Sequence, residues 1–380
     1  MITKSNPPKI IWGEDKNANK ITLIVLSVGE KHLNLSSTFP LVHYKILYVF
    51  KGIHLLSKED NIFEEIDLEL ESLTPWMNSY PVQLSIPIVD NKLTNNFTLS
   101  YTKDENKLFY DINENFELSI SAIANYTDFY KEEITVKQRY IVTIKSDKPT
   151  SFFHLINKAH RFQSFLNMAT FNHNSFLSLC LYSSNHFLQL NDNKKIPLPI
   201  ELFFKQFNKT ITNNKSLNEN YLFSFHSIEF QFQNLIKEWF SFDKKIMPIL
   251  HHLIDSIQDK PIFKSTDYLI IAQALDGYHR RFFDKEPEKD KSLESRFRNL
   301  KNFFAKEVLI IREIDTEYAA NSRNYYSHFY NKLPNEKVAE GIDLFNLTKQ
   351  LRYLLICCFL HKLGLDNIKI NEVLSKHSEH

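Results

Sequence analysis

Arg323, Asn324 and His328 fall within six consecutive residues, RNYYSH, in a stretch with helical spacing. Positions four apart on an α-helix share a face, so Asn324 and His328 stack one turn apart, and Arg323 is long enough to swing its guanidinium toward the same groove. A phosphodiester in that groove meets a planar cation able to bond two phosphate oxygens and an imidazole able to carry a proton. Imidazole as a class titrates near pH ~6.5, where general acid or base catalysis is most effective. These residue types suit attack of a ribose 2′-hydroxyl on the adjacent phosphorus, giving a 2′,3′-cyclic phosphate and a free 5′-hydroxyl without a metal. DNA lacks that hydroxyl, so the chemistry is confined to RNA. In such a reaction His328 deprotonates the nucleophile or protonates the leaving oxygen, and Arg323 stabilises the extra negative charge on phosphorus. Asn324 orients His328 or the phosphate. Tyr325 and Tyr326 are candidate stacking surfaces for unpaired bases, with burial in the core as the alternative.

The pair alone carries little. With nine Arg and 15 His in 380 residues, an Arg followed four to six positions later by a His arises about once by chance. The Asn directly after the Arg and the fixed spacing make the pattern selective, so the surrounding elements must supply its context.

From about residue 20 to residue 145 the apolar period is two: Val82, Leu84, Ile86 and Ile88 alternate, as do Ile66, Leu68 and Leu70, then Phe97, Leu99 and Tyr101, then Phe116, Leu118 and Ile120. Half-buried antiparallel strands produce this pattern, and turn signals at Lys51-Gly52, Asp90-Asn91, Asp104 to Asn106 and Asp147 to Pro149 separate them, as in a β-sandwich or a strongly curved sheet. After Pro149 the period becomes helical from Phe152 to Ala169, behind a Thr150/Ser151 cap. Phe176 to Tyr182 reads as a strand, Asn208 to Asn220 as an exposed loop and Tyr221 to Phe225 as a short returning strand. Beyond a boundary near residue 243 the chain is helical: Met247 to Ile257, Tyr268 to Phe282 behind Ser265 or Thr266, Leu293 to Phe304, Asp315 to Tyr330 with the hexapeptide, and Glu336 to Leu363 ending at Gly364. Short connections between such helices make a bundle. The fold class is therefore α+β, an antiparallel β-rich, sandwich-like region with added helices in residues 1–243, then an α-helical bundle in residues 244–380.

The composition, 43% hydrophobic and 24% charged with 32 Phe and 17 Tyr, belongs to a folded chain. A net charge of +1 gives no whole-chain attraction to nucleic acid, so any RNA contact has to come from a local patch. Cys180, Cys357 and Cys358 show no CxxC spacing, which argues against a disulfide framework or a structural zinc and suits a reducing cytoplasm. The N-terminus lacks the apolar core of a signal peptide, and Tyr353 to Leu360, the longest apolar run, is too short to span a bilayer. With six glycines and no GxGxxG or GxxxxGK[ST], the usual nucleotide cradles are missing, and no cofactor is expected. His251, His252 and Asp255 lack a third ligand nearby and read as surface or packing residues. His279, Arg280 and Arg281 form a small basic cluster in which Arg280 is a candidate RNA contact, against a solvated helix end. Lys285 to Lys291 reads as a solvated loop, and Cys357-Cys358 as buried and inert.

RNYYSHFY and the aliphatic helix Leu351 to Leu363 resemble the ApeA-like HEPN domain, whose ribonucleases carry an RNxxxH motif, and YVFKG (48–52) and LESLTPW (70–76) resemble the ApeA N-terminal domain. The resemblance implies an abortive-infection effector that cuts host RNA, with tRNA the favoured target, once a phage-derived trigger is sensed. It also implies a homodimer in which two such helices meet in a composite cleft. HEPN proteins often set a polar or acidic residue on an earlier helix facing the catalytic Arg; Asp276, within LDGYHRRF, is the matching candidate. Local pairing with Arg280 is the alternative for it. Two other readings compete: a β-sandwich that binds a ligand while the helical region only dimerises or holds RNA, and a structural bundle in which Arg323 ion-pairs with Glu317 or Asp315.

Overall fold

The computed structural model of the chain describes residues 8–32, 41–79, 82–89, 92–93, 98–101, 108–113, 115–127, 135–190, 195–206, 221–257, 263–283, 292–329, 331–332 and 336–378. They fall into two compact units. One is drawn from Met1–Thr74, Ser79–Gln163 and Ser175–Lys215, the other from Pro75–Asn78, Ser164–Asn174 and Ser216–His380. The expected loops at Asn208 to Asn220 and Lys285 to Lys291 and the turns at Asp90-Asn91 and Asp104 to Asn106 lie outside the described residues.

The described strands are β1 (Ile10–Glu14), β2 (Lys20–His32), β3 (Leu41–Lys51), β4 (Phe63–Leu70), β5 (Val82–Ser85), β6 (Ile88–Val89), β7 (Lys92–Leu93) and β8 (Thr98–Tyr101), followed by β9 (Leu108–Asn113), β10 (Phe116–Tyr126), β11 (Val136–Thr150), β12 (Phe176–Tyr182), β13 (Phe187–Gln189), β14 (Lys195–Pro197) and β15 (Ile200–Phe204). Nine form one antiparallel sheet in the order β1-β2-β3-β15-β12-β4-β11-β10-β9. The period of two decides its faces: Ile66, Leu68 and Leu70 of β4 are buried together, while Asp67 and Glu69 point the other way. A short helix, α1 (Leu73–Met77), follows β4, and α2 (Phe152–Thr170) sets Phe152 edge-on against Tyr48 and Phe50 of β3, with ring centroids 5.1 and 4.9 Å apart. The layer over β3 is thus a helix, so the β-rich architecture is a sheet against a helix at this place. Gly52 ends β3 at φ +121°, and a Cβ there would lie 3.3 Å from the Pro199 carbonyl oxygen; glycine meets both conditions. Val82, Leu84, Ile86 and Ile88 keep their alternation but not their burial. Among the described residues β5 pairs with β8 and β6 with β7, each a two-stranded ribbon, and Leu84 of the first is 60% exposed and Ile88 of the second 67%; such a ribbon has no second layer of its own to bury an apolar face.

In the second unit the described helices are α3 (Phe225–Ile228), α4 (Phe232–Ser241), α5 (Met247–Ile257), α6 (Ser265–Tyr278), α7 (Leu293–Phe304), α8 (Thr316–His328), α9 (Gly341–Lys362) and α10 (Asn367–Ser378). Trp76, Phe165, Phe225, Phe232 and Trp239 make an aromatic core, all with ring neighbours 5.1–6.0 Å apart. Tyr221 to Phe225 is not the expected strand: Phe223 donates its N–H to the Ala169 carbonyl at 3.1 Å, and Phe225 opens α3 against Trp76. The apolar run there is explained by side-chain burial without strand pairing. α6 begins after Lys264, whose backbone N–H donates to Asp267 Oδ2 at 3.0 Å, so the cap is supplied from inside the helix and not by Ser265 or Thr266. The final aliphatic helix starts five residues later than its sequence suggests, at Gly341, and α10 is an additional helix beyond Gly364, which breaks the chain at φ +92°.

Candidate active site

α8 is capped by Asp315, whose carboxylate accepts the Tyr318 N–H at 3.0 Å. This satisfies one of the amides that a first turn leaves unpaired. The buried positions of α8 are Ala319, Ala320 and Ser322, small residues that allow close approach. α6 reaches it through the fully buried Tyr268, whose hydroxyl donates to the Ala319 carbonyl. That carbonyl lies four residues before Arg323, so the phenol grips the turn from which Arg323 projects. Burial pushes the Tyr268 phenol well up, and the Arg323 charge pulls in the opposite direction.

A second grip comes from the segment before α9. Ser322 donates to the Tyr318 carbonyl at 2.7 Å and accepts the Ala339 N–H at 2.9 Å, while the Tyr326 hydroxyl donates to the Ala339 carbonyl at 2.9 Å. With both backbone groups of Ala339 bound to α8 side chains, Glu336 to Glu340 stays out of the helix that its sequence would otherwise continue.

Against this fixed background the hexapeptide presents two polar side chains. Arg323 is half-buried, donates to Asn324 Oδ1 at 3.3 Å, and has no carboxylate partner among the described residues. The ion pair with Glu317 or Asp315 is therefore not formed; Asp315 is committed to the cap. His328 is exposed at the last turn, and its imidazole has no hydrogen-bond partner among the described residues. Asn324 is turned to Arg323 as an acceptor. Tyr326 is half-buried, held by its hydroxyl and lying edge-on to Tyr268 and Tyr325; Tyr325 is half-buried as well.

Asp276 forms no ion pair with Arg323. Its carboxylate takes Arg280 Nε at 3.1 Å and the buried Arg296 Nη1 of α7 at 2.8 Å. Tyr268, the α6 side chain that bonds the Ala319 carbonyl of α8, lies eight residues before Asp276, about 12 Å of helix at ~1.5 Å per residue. Arg280 remains exposed with its charge shared with Asp276, and Arg281 donates to the Lys245 carbonyl. Sequence reasoning missed Tyr268, Ser322 and Arg296 as site supports. Tyr268 stood in an apolar stripe and looked like ordinary core, whereas Arg296 did leave a signal: three residues after Leu293 and four before Leu300, it occupies the apolar face of α7. His251 and Asp255 are exposed, and no group of three or more His, Cys, Asp or Glu gathers as metal ligands among the described residues. Cys357 and Cys358 are fully buried, which raises both thiols.

The chain matches the ApeA N-terminal domain 1 over residues 2–239 and the Apea-like HEPN domain over residues 269–368. The second match contains Arg323, Asn324 and His328. No curated protein and no solved structure matches it. Among the described residues no helix is long and apolar enough to cross a membrane. Because the N-terminal match alone covers more than half of the chain and the HEPN match carries the hexapeptide, the protein belongs to the ApeA family of HEPN-containing antiphage proteins.

Proposed function

We propose that this protein is an abortive-infection effector that cuts RNA, with tRNA the favoured target, through a metal-independent HEPN ribonuclease in residues 244–380 under the control of a β-rich sensor region in residues 1–243. It acts in the cytoplasm as a homodimer, answering a phage-derived trigger. The observation that carries this reading is an arginine without a carboxylate partner among the described residues, five positions before an exposed histidine on a helix held by Tyr268 and by the Ala339 backbone. An Arg already neutralised by a carboxylate would have little left for a phosphate; this one has its charge to offer. His328 takes the proton of the 2′-hydroxyl, or gives one to the departing 5′-oxygen, as the phosphorus–oxygen bond forms on one side and breaks on the other. Arg323 meets the charge that builds on the phosphoryl oxygens. Asn324 keeps the guanidinium in place through their mutual bond. Tyr325 and Arg280 are candidate contacts to flanking nucleotides. Tyr326, with its hydroxyl committed, could contribute only its ring, and Asp276 serves the site through the helices it joins.

The test compares wild type with His328→Ala in phage-challenged cells, sequencing small RNAs for new 5′-hydroxyl ends. New ends confined to wild type, with loss of protection in the variant, are the expected result. Protection that survives His328→Ala would end the ribonuclease reading.

A further inference from the structure

Phe329, the residue after His328, combines two features that folding by itself does not reward with a backbone bond that ties it to the helix end. Its ring is 88% exposed. Its backbone is left-handed, φ +53° and ψ +33°, a conformation in which a bulky side chain is strained and which glycine or asparagine supplies at most helix ends. Its N–H donates to the Tyr325 carbonyl at 3.0 Å, so its backbone is tied to the end of α8 and does not belong to a trailing loop. A phenyl ring that is exposed in water at a strained position gains neither packing nor turn geometry. Strain of this kind persists where a function holds it in place.

The residues that precede Phe329 in the chain indicate the ligand. One residue away is the exposed imidazole of His328, and in the same helix is the cation of Arg323. A base has an apolar face of matching size, and stacking of a base on an aromatic ring tolerates any sequence. Bases inside a duplex are already stacked on one another, and the A-form backbone holds each 2′-hydroxyl out of line with the bond to be broken. An unpaired nucleotide escapes both constraints. We propose that Phe329 is a substrate-positioning residue whose ring stacks on an unpaired base beside the scissile phosphate, restricting the substrate to single-stranded or loop RNA. This inference rests on the ribonuclease reading above.

The test uses the full chain. In the His328→Ala background, which spares the RNA, fluorescence anisotropy with a short labelled single strand of mixed sequence and with the same strand as a duplex is compared for Phe329, Phe329→Trp, Phe329→Leu and Phe329→Gly. Leucine and glycine are expected to weaken single-strand binding roughly 5- to 150-fold, the range for loss of one stacked base, while tryptophan keeps or tightens it and duplex binding stays level. Phe329→Gly is expected to melt at or above the parent temperature because it relieves the left-handed strain, a result that no purely structural role for the ring would produce. Equal single-strand affinity for all four side chains, with cleavage intact when His328 is restored, overturns the stacking role alone. A wild type that neither binds nor cuts RNA overturns both readings. Loss of a dimer mass in the leucine and glycine variants at unchanged RNA affinity assigns the ring to a subunit contact and overturns the proposal.

Discussion

Ser322 shows how much of a catalytic residue's position can depend on the side chain beside it. It has no exposed surface, and its hydroxyl both returns a bond to its own helix and receives the Ala339 N–H. Ser322→Ala would leave that amide buried without an acceptor while changing almost no volume, so the cost is that of an orphaned donor, about 1–3 kcal/mol. Urea unfolding of the two proteins measures it. A variant as stable as wild type would mean that water reaches Ala339 and that the segment before α9 is not held through Ser322. Tyr268 holds α8 in the same manner through the Ala319 carbonyl, and with both contacts in place Arg323 has little freedom to move its backbone.

At the level of elements, α6 holds three other helices. Tyr268 bonds the α8 carbonyl of Ala319, Tyr278 donates to the Cys358 carbonyl of α9 at 3.0 Å, and Asp276 joins α7 through Arg296. The two partners of Asp276 differ in energetic weight. The Arg280 side chain is 56% exposed and that of Arg296 only 7%, so the first pair is a screened surface contact and the second a largely desolvated one. Arg280→Ala should therefore change stability by no more than about 1 kcal/mol, whereas Asp276→Ala, which strands a buried guanidinium, should cost about 3 kcal/mol. Denaturant titration of both variants separates the cases. Equal, small losses would return Asp276 to a local helix pair and remove the α6–α7 link.

For the whole molecule the question is how many copies make one site. A single α8 provides one histidine, while in-line cleavage gains from both an acid and a base. A second copy is the simplest source of the other group, and the exposed, C-terminal placement of His328 leaves it accessible to a neighbouring chain. Light scattering on the purified protein should give about twice the 45.0 kDa chain mass. Full cleavage by a protein that stays monomeric at assay concentration would rule out the composite cleft and require the second proton carrier to lie within one chain.

Local pattern was enough for much of this protein. The alternation of Ile66, Leu68 and Leu70, the helical stripe of α2 and the spacing of Arg323, Asn324 and His328 are all visible in neighbouring residues, because a half-buried strand or helix writes its own period into its sequence. What escaped was decided by groups remote in the chain. Asp276 has a ready partner four residues on, yet its stronger one is Arg296, twenty residues away. Glu336 to Glu340 has helical spacing, but Ser322 and Tyr326 claim the backbone of Ala339. The ribbon of β5 and β8 alternates like a core strand, yet Leu84 and Leu99 are 60% and 48% exposed. The residue types of the site and their order on one helix were thus determined by sequence alone. Only the tertiary structure decided that Arg323 keeps its charge unneutralised among the described residues and that His328 is exposed, since both depend on which side chains the other helices bring near, and no local period encodes that.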